Sequence, residues 1–103
     1  MLRHAEYEAT YRGGQRRSSA QFLIFYRGNG LERSRFGISV KKALSGAVVR
    51  NRIRRRIREI LRLDRSEIPP GWDIVIHPRS SVGRASFASL RAELVRLLQS
   101  LGK

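Results

Sequence analysis

Guanidinium groups are the chemistry this chain holds in quantity, and they crowd into one stretch. Val48 to Leu63 carries seven arginines: Arg50, Arg52, Arg54, Arg55, Arg56, Arg58 and Arg62. So dense a block of like charge could be a solvated tail. Its apolar residues argue otherwise. Val49, Ile53, Ile57, Ile60 and Leu61 recur at intervals of three and four, the spacing of one helix face. Projected on a helical wheel, Asn51, Arg54, Arg55, Arg58 and Arg62 fall on the opposite side. Arg52 and Glu59 flank them, and Arg50 and Arg56 sit nearer the apolar stripe. The stretch predicts a helix that docks on a core through Ile and Val and leaves a guanidinium face outside.

Glu59 is the only acid in that segment, so pairing within the helix cannot cancel the charge. Like charges four residues apart each cost a few tenths of a kcal/mol. A face kept at that cost calls for an anionic partner. Arginine suits phosphate, because its planar fork donates two parallel hydrogen bonds and never loses its charge. A merely solvated basic face is the weaker reading, since the surface charge of soluble domains is ordinarily mixed in sign.

Other chemistries find little support. His4 and His77 are the only histidines and lie far apart in sequence. No His-x-x-x-His and no paired carboxylates have the spacing of a nuclease metal site. Asp64, Glu67 and Asp73 scatter around a loop, where pairing with the excess arginine is the favoured role. Gly28-Asn29-Gly30 precedes a strand rather than a helix, so it does not read as a phosphate loop. No catalytic residue and no metal site are expected in the protein itself, and no tightly bound cofactor.

The bulk numbers agree with a polyanion binder. The chain has 103 residues, with 22 Lys+Arg against 8 Asp+Glu and a net charge of +14. The isoelectric point is near 11.8. These values point to nucleic acid first, with an anionic membrane or an acidic protein behind it. The length predicts one domain over residues 1–103. There is no cysteine, which excludes disulfides and thiolate metal sites and leaves the redox compartment open. No run has the length of a transmembrane helix. The N-terminal residues lack the apolar core of a signal peptide, and Glu6 and Glu8 come too early for a transit peptide. A cytoplasmic nucleic-acid binder is the default, with no membrane role.

The elements that must position these residues follow from pattern. Leu2 to Arg12 reads as a short helix that stops at Gly13-Gly14, with Tyr7 and Tyr11 stacked at i,i+4; spacing alone favours a core role for both. Gln15 to Ala20 is a connector or edge strand. Gln21 to Arg27 is a strand, with Phe22, Ile24 and Tyr26 on one face and Leu23 and Phe25 on the other. After the Gly28-Asn29-Gly30 turn, Arg35 to Val40 reads as its hairpin partner. Ser45 or Gly46 caps the arginine helix. Pro69-Pro70-Gly71 closes a loop, and Trp72 to His77 forms a further strand. The last helix, Arg84 to Leu101, is capped by Ser86 and shows Phe87, Leu90, Leu94, Leu97, Leu98 and Leu101 as its stripe. The resulting class is α+β in the order α-β-β-α-β-α. It is a two-layer sandwich, one small sheet with helices packed mainly on one side, and Val40 to Trp72 forms a β-α-β unit.

Residues Gly46-Ala47-Val48-Val49-Arg50-Asn51-Arg52-Ile53-Arg54-Arg55-Arg56-Ile57-Arg58-Glu59 resemble the signature of the protein subunit of bacterial ribonuclease P. That signature is an Ala-Val-x-Arg-Asn-Arg core followed by x-basic-Arg-x-x-Arg. The resemblance covers nearly the whole chain: Phe36-Gly37-Ile38-Ser39-Val40 with Lys42 matches the strand before the helix, and Asp73-Ile74-Val75-Ile76 with Arg79 matches the later strand. Tyr7 and Tyr11 fall where the family carries aromatics on its first helix, and Phe22-Leu23-Ile24-Phe25 falls on its first long strand. The chain departs from the pattern at Ala43 and Ser45, where the family usually has lysine and glycine. It departs again at His77-Pro78, where small or apolar residues are usual.

The resemblance implies a fold of the ribosomal protein S5 domain 2 type, with a left-handed β-α-β crossover that is an exception to the usual rule. It implies a subunit that binds a catalytic RNA and helps it recognise precursor tRNA, while the RNA, with Mg²⁺, removes the 5′ leader. Carried over by residue, Lys42, Arg50, Asn51, Arg52, Arg54, Arg55 and Arg58 contact RNA. Tyr7, Tyr11 and Phe25 line a cleft for the single-stranded leader, which needs stacking platforms and positive charge. The resemblance thus moves the two tyrosines from core to ligand contact. High charge favours a monomer when RNA is absent. A structural RNA-binding protein, such as a small ribosomal protein, has similar composition but lacks the Arg-Asn-Arg signature and the aromatic first helix. A helix-turn-helix DNA binder needs a helix, not a strand, before its recognition helix.

Overall fold

Three α-helices, four strands and two short 3-10 turns are seen in the computed structural model, which describes residues 2–41 and 46–101. The helices are α1 (His4–Gly13), α2 (Ala47–Leu63) and α3 (Phe87–Gln99); the strands are β1 (Gln15–Ser18), β2 (Phe22–Gly28), β3 (Arg35–Ile38) and β4 (Trp72–Pro78). The mixed α+β class stands, with one strand more than the pattern counted: the run at Gln15 is the edge strand β1. Its hold on the body is specific. The Arg17 guanidinium donates to the Ser100 carbonyl (2.7 Å) and lies 5.5 Å over the Tyr26 ring.

The sheet order is β1-β2-β4-β3. Here the expected hairpin of Gln21–Arg27 with Arg35–Val40 fails, because β4 lies between the two strands. It pairs antiparallel with β2 along its whole length and parallel with β3. The reason is burial. Ile74, Val75 and Ile76 are fully buried on both faces of the sheet, so β4 needs an interior place. The short β3, with Arg35 and Gly37 in four residues, suits an edge. The loop from β2 to β3 therefore has to straddle the start of β4. Asn29 N–H donates to the Gly71 carbonyl (2.9 Å), and the Ser34 hydroxyl donates to the Pro69 carbonyl (2.7 Å) while accepting from Trp72 N–H (3.0 Å).

The core lies on one face of the sheet. Phe22, Ile24, Ile74 and Ile76 meet Ile53, Ile57 and Ile60 of α2 and Leu90, Leu94, Leu97 and Leu98 of α3. Both apolar stripes are thus where the periodicity put them, except at the start of α2. Val49, the first residue of the expected stripe, is 36% exposed, so that first turn stands clear of the core. Gly46 caps α2 without a side-chain bond, while the Ser86 hydroxyl accepts from Ser89 N–H at the start of α3. Ser45 lies outside the described residues.

The smaller helix α1 crosses the other face. Glu6 fixes its start: one carboxylate oxygen accepts from Arg3 N–H (2.6 Å) and the other pairs with Arg35. Arg35 in turn forks onto Asp73, which is fully buried, with two bonds of 2.8 Å. Asn29 adds a third bond to Asp73 (3.0 Å). Burial alone would raise the Asp73 pKa, but the hydrogen bonds from Arg35 and Asn29 outweigh it and the carboxyl is held below its ordinary value. One buried carboxylate thus ties β4, β3, the β2–β3 loop and, through Arg35, α1.

Candidate nucleic-acid interface

The arginine face of α2 is outside, as its spacing requires. Asn51, Arg52, Arg55, Arg58 and Arg62 are exposed, and Arg50, Arg54 and Arg56 are half-buried along the flanks. Glu59 is spent on Arg62, at 2.5 Å, and its pKa is lowered chiefly by that hydrogen bond. The Arg54 guanidinium donates to the Asn51 side chain (3.2 Å), and Arg56 reaches the Ala85 carbonyl (3.5 Å). Among the described residues Arg52, Arg55 and Arg58 pair with no carboxylate. Lys42 lies outside the described residues.

Tyr7, Tyr11 and Phe25 come together on the α1 side of the sheet, although the tyrosines do not stack on each other. Tyr7 lies over Gly37 of β3, so close that a Cβ at Gly37 would clash with the hydroxyl end of the phenol. Tyr11 reaches across to β2 and β4. Its ring meets Phe25 edge-on, with centroids 5.0 Å apart and planes at 78°. Phe25 is on the face opposite Phe22 and Ile24, as alternation predicts.

A third ring completes the group. His77 lies 5.3 Å from Phe25 and 5.7 Å from Tyr11, and its Nε2 shares a 2.8 Å hydrogen bond with the Tyr11 hydroxyl. In the β2–β4 register Leu23 faces His77 and Phe25 faces Val75, so Phe25 and His77 are diagonal neighbours on one face. Burial, then the nearby positive charge of Lys41, lowers the His77 pKa. Burial raises the Tyr11 pKa against the opposing pull of the Ser39 hydroxyl. Both shifts favour the neutral forms, so this aromatic cluster presents rings and a neutral hydrogen bond. Positive charge stands beside it: Arg16 and Arg79 line a cavity of about 370 Å³ with Ser18 and Leu23. Leu23 is the residue that faces His77.

Sequence reasoning passed over His77, Arg16 and Arg79 as parts of this surface. The only local signal was the alternation that puts His77 on the same side of β4 as Val75. Its partner Tyr11 is 66 residues away. Among the described residues no group of three or more His, Asp or Glu side chains could hold a metal ion. No helix is long and apolar enough to cross a membrane.

An arginine-faced helix on one side of a small sheet and an aromatic cluster on the other define a basic α+β protein. Comparison with known proteins makes it particular. The family model described as ribonuclease P matches residues 1–102. The ribonuclease P protein component of Desulfotalea psychrophila is 46% identical over 86 residues, covering 84% of this chain and 72% of that one. That of Roseiflexus castenholzii is 42% identical over 98 residues, covering 94% and 80%. The solved ribonuclease P protein of Thermotoga maritima superposes with a TM-score of 0.93 at 33% identity, covering 99% of this chain and 97% of that one. The chain belongs to the family of ribonuclease P protein components, subunits of a tRNA-processing complex.

Proposed function

We propose that this chain is the RNA-binding subunit of a ribonuclease P whose RNA carries out the cleavage, and that it binds both that RNA and the 5′ leader of precursor tRNA. The observation that carries the reading is the pairing of two unlike surfaces. Arg52, Arg55 and Arg58 stand on α2 with no carboxylate partner among the described residues. Tyr11, Phe25 and His77 form an aromatic cluster on the opposite face of the sheet. The first suits a phosphate backbone, through forked, permanently charged donors. The second suits unpaired bases, which stack on aromatic rings with little regard to sequence.

In this reading the residues of α2 named by the signature, Arg50, Asn51, Arg52, Arg54, Arg55 and Arg58, hold the catalytic RNA. Lys42, outside the described residues, is a further RNA contact by the same signature. Tyr7 and Tyr11 with Phe25 form one wall of the leader cleft, and Arg16 and Arg79 supply charge beside it. The protein positions; Mg²⁺ acts with the RNA subunit at the scissile phosphate. With a net charge of +14 the free protein repels its own copies and is a monomer until RNA neutralises it. Its place of work is the cytoplasm.

Reconstitution tests the proposal. The protein is mixed with a bacterial ribonuclease P RNA at low Mg²⁺, and cleavage of a precursor tRNA is followed. Cleavage at the mature 5′ end that neither component gives alone is the expected result. Binding to the RNA without any gain in cleavage, repeated with a second bacterial RNA, would instead favour a purely structural RNA-binding protein.

A further inference from the structure

A further groove shares Arg58 with the arginine face of α2 but includes none of Tyr11, Phe25 and His77. It has a volume of about 860 Å³ and runs along the free edge of β3, between the start of α1 and the last turns of α2. Besides Arg35, which is held by Asp73 and Glu6, four arginines line it: Arg3 ahead of α1, Arg33 in the loop before β3, Arg58 on α2, and Arg65 just past the end of α2. All four are exposed. The one carboxylate in its lining, Glu6, is already engaged by Arg3 N–H and by the Arg35 guanidinium. Among the described residues none of the four arginine side chains pairs with a carboxylate. The lining is not uniformly polar, because Phe36 and Leu61 are only partly buried against the core and show in the groove. A smaller cavity of about 200 Å³ continues it past Arg33 and Arg65 toward Ile68 and Pro70, with Glu32 in its lining.

We propose that this groove is a second seat for RNA, taking a single-stranded backbone segment of the catalytic RNA subunit, with Arg3, Arg33 and Arg65 as phosphate contacts. The inference rests on the function proposed above. Uncompensated guanidiniums beside partly exposed apolar side chains are the make-up of a groove that tracks a single strand, with charge for the phosphates and a surface for the bases. The choice of RNA follows from continuity. Arg58 and Leu61 lie on α2, so a strand held by Arg52 and Arg55 passes into the groove without leaving that helix. Tyr11, Phe25 and His77 are not in its lining. The four arginines come from three separate parts of the chain, so the groove exists only in the folded protein.

The test is filter binding of the ribonuclease P RNA subunit to the protein over a range of salt. The double variant Arg33→Ala/Arg65→Ala should bind about tenfold more weakly, and its dependence of log K on log salt should be shallower by about two units. Arg33→Lys/Arg65→Lys should recover most of the affinity, since charge is kept. In holoenzyme reconstituted at saturating protein, the preference for leader-bearing precursor over mature tRNA should be unchanged. Circular dichroism melting checks the fold, and the single variant Arg33→Gln replaces the double if the double melts early. Unaltered RNA affinity and salt slope would overturn the proposal. So would a loss confined to precursor tRNA, which would make the groove a substrate site. A wild-type protein that binds no ribonuclease P RNA would refute the parent function, whereas wild-type binding with an indifferent variant refutes the groove alone.

Discussion

Replacing Gly37 by alanine should change sign in its effect on stability according to what stands at position 7. Gly37 is buried in β3, and its backbone does not need glycine's left-handed freedom. Judged by the chain alone, alanine in a strand gains about 0.5–1 kcal/mol, because the unfolded state loses freedom. The added methyl, however, clashes with the hydroxyl end of the Tyr7 side chain. Tyr7 is half-buried, so its ring can tilt toward solvent, and the strain becomes lost packing of about 1–3 kcal/mol. The net expectation is a loss of about 1 kcal/mol, or about 4–8 °C in melting temperature for a chain of this size. In a Tyr7→Ala background the obstacle is gone, and the same Gly37→Ala change should stabilise by about 0.5–1 kcal/mol. Urea unfolding of the four proteins, followed by circular dichroism, closes the cycle. Gly37→Ala should also blunt the preference for leader-bearing precursor while leaving affinity for the catalytic RNA intact. If Gly37→Ala has the same sign and size in both backgrounds, Tyr7 is not what the methyl meets, and the placement of α1 is wrong.

Three further outcomes are expected. Tyr11→Ala or Phe25→Ala should weaken binding of leader-bearing precursor by about 1–3 kcal/mol, the worth of one stacked base, with little effect on mature tRNA; equal losses for both RNAs would remove the cleft. Arg52→Ala and Arg55→Ala should each flatten the salt dependence of binding to the catalytic RNA by about one unit with no change in melting, and normal binding by both variants would sink the role of α2. Because the Asp73 carboxyl is held below its ordinary value, its contribution to stability is present above the unfolded pKa of about 3.9 and is lost as pH falls through the lower folded value. Asp73→Asn should therefore be less stable at neutral pH and flatter below about pH 4 in thermal melts, and parallel acid limbs for the two proteins would contradict the buried pair.

What could be read in the sequence was whatever a buried face imposes locally. The stripes of α2 and α3 were visible because Ile53, Ile57 and Ile60, and Leu90, Leu94 and Leu98, must meet one sheet at helical spacing. The side of β2 that carries Phe25 followed from alternation. The interior position of β4 did not, because strand order depends on which distant partners leave Ile74, Val75 and Ile76 dry, and adjacency in sequence favoured a hairpin that the fold does not make. His77 was opaque for the same reason: its meaning lies in Tyr11 and Phe25, which local pattern does not connect to it. The groove beside β3 gathers Arg3, Arg33, Arg58 and Arg65 from across the chain, and its charges become one feature only when the sheet edge is built.

The insertion of β4 between β2 and β3 also sets an order of events. β3 has one neighbour in the sheet, and that neighbour begins at Trp72, after the whole of α2. A chain emerging from the ribosome can make the β1–β2 ribbon early, but β3 has no strand to pair with until β4 arrives. Pairing then carries the loop-closure cost of everything between them. The aromatic cluster and the β3 groove both depend on that closure, the first through His77 and the second through the edge that β3 defines. A nascent chain shorter than β4 thus carries the full arginine helix but neither the Tyr11–Phe25–His77 cluster nor the groove beside β3. Both surfaces arrive in one step, with the strand that completes the sheet.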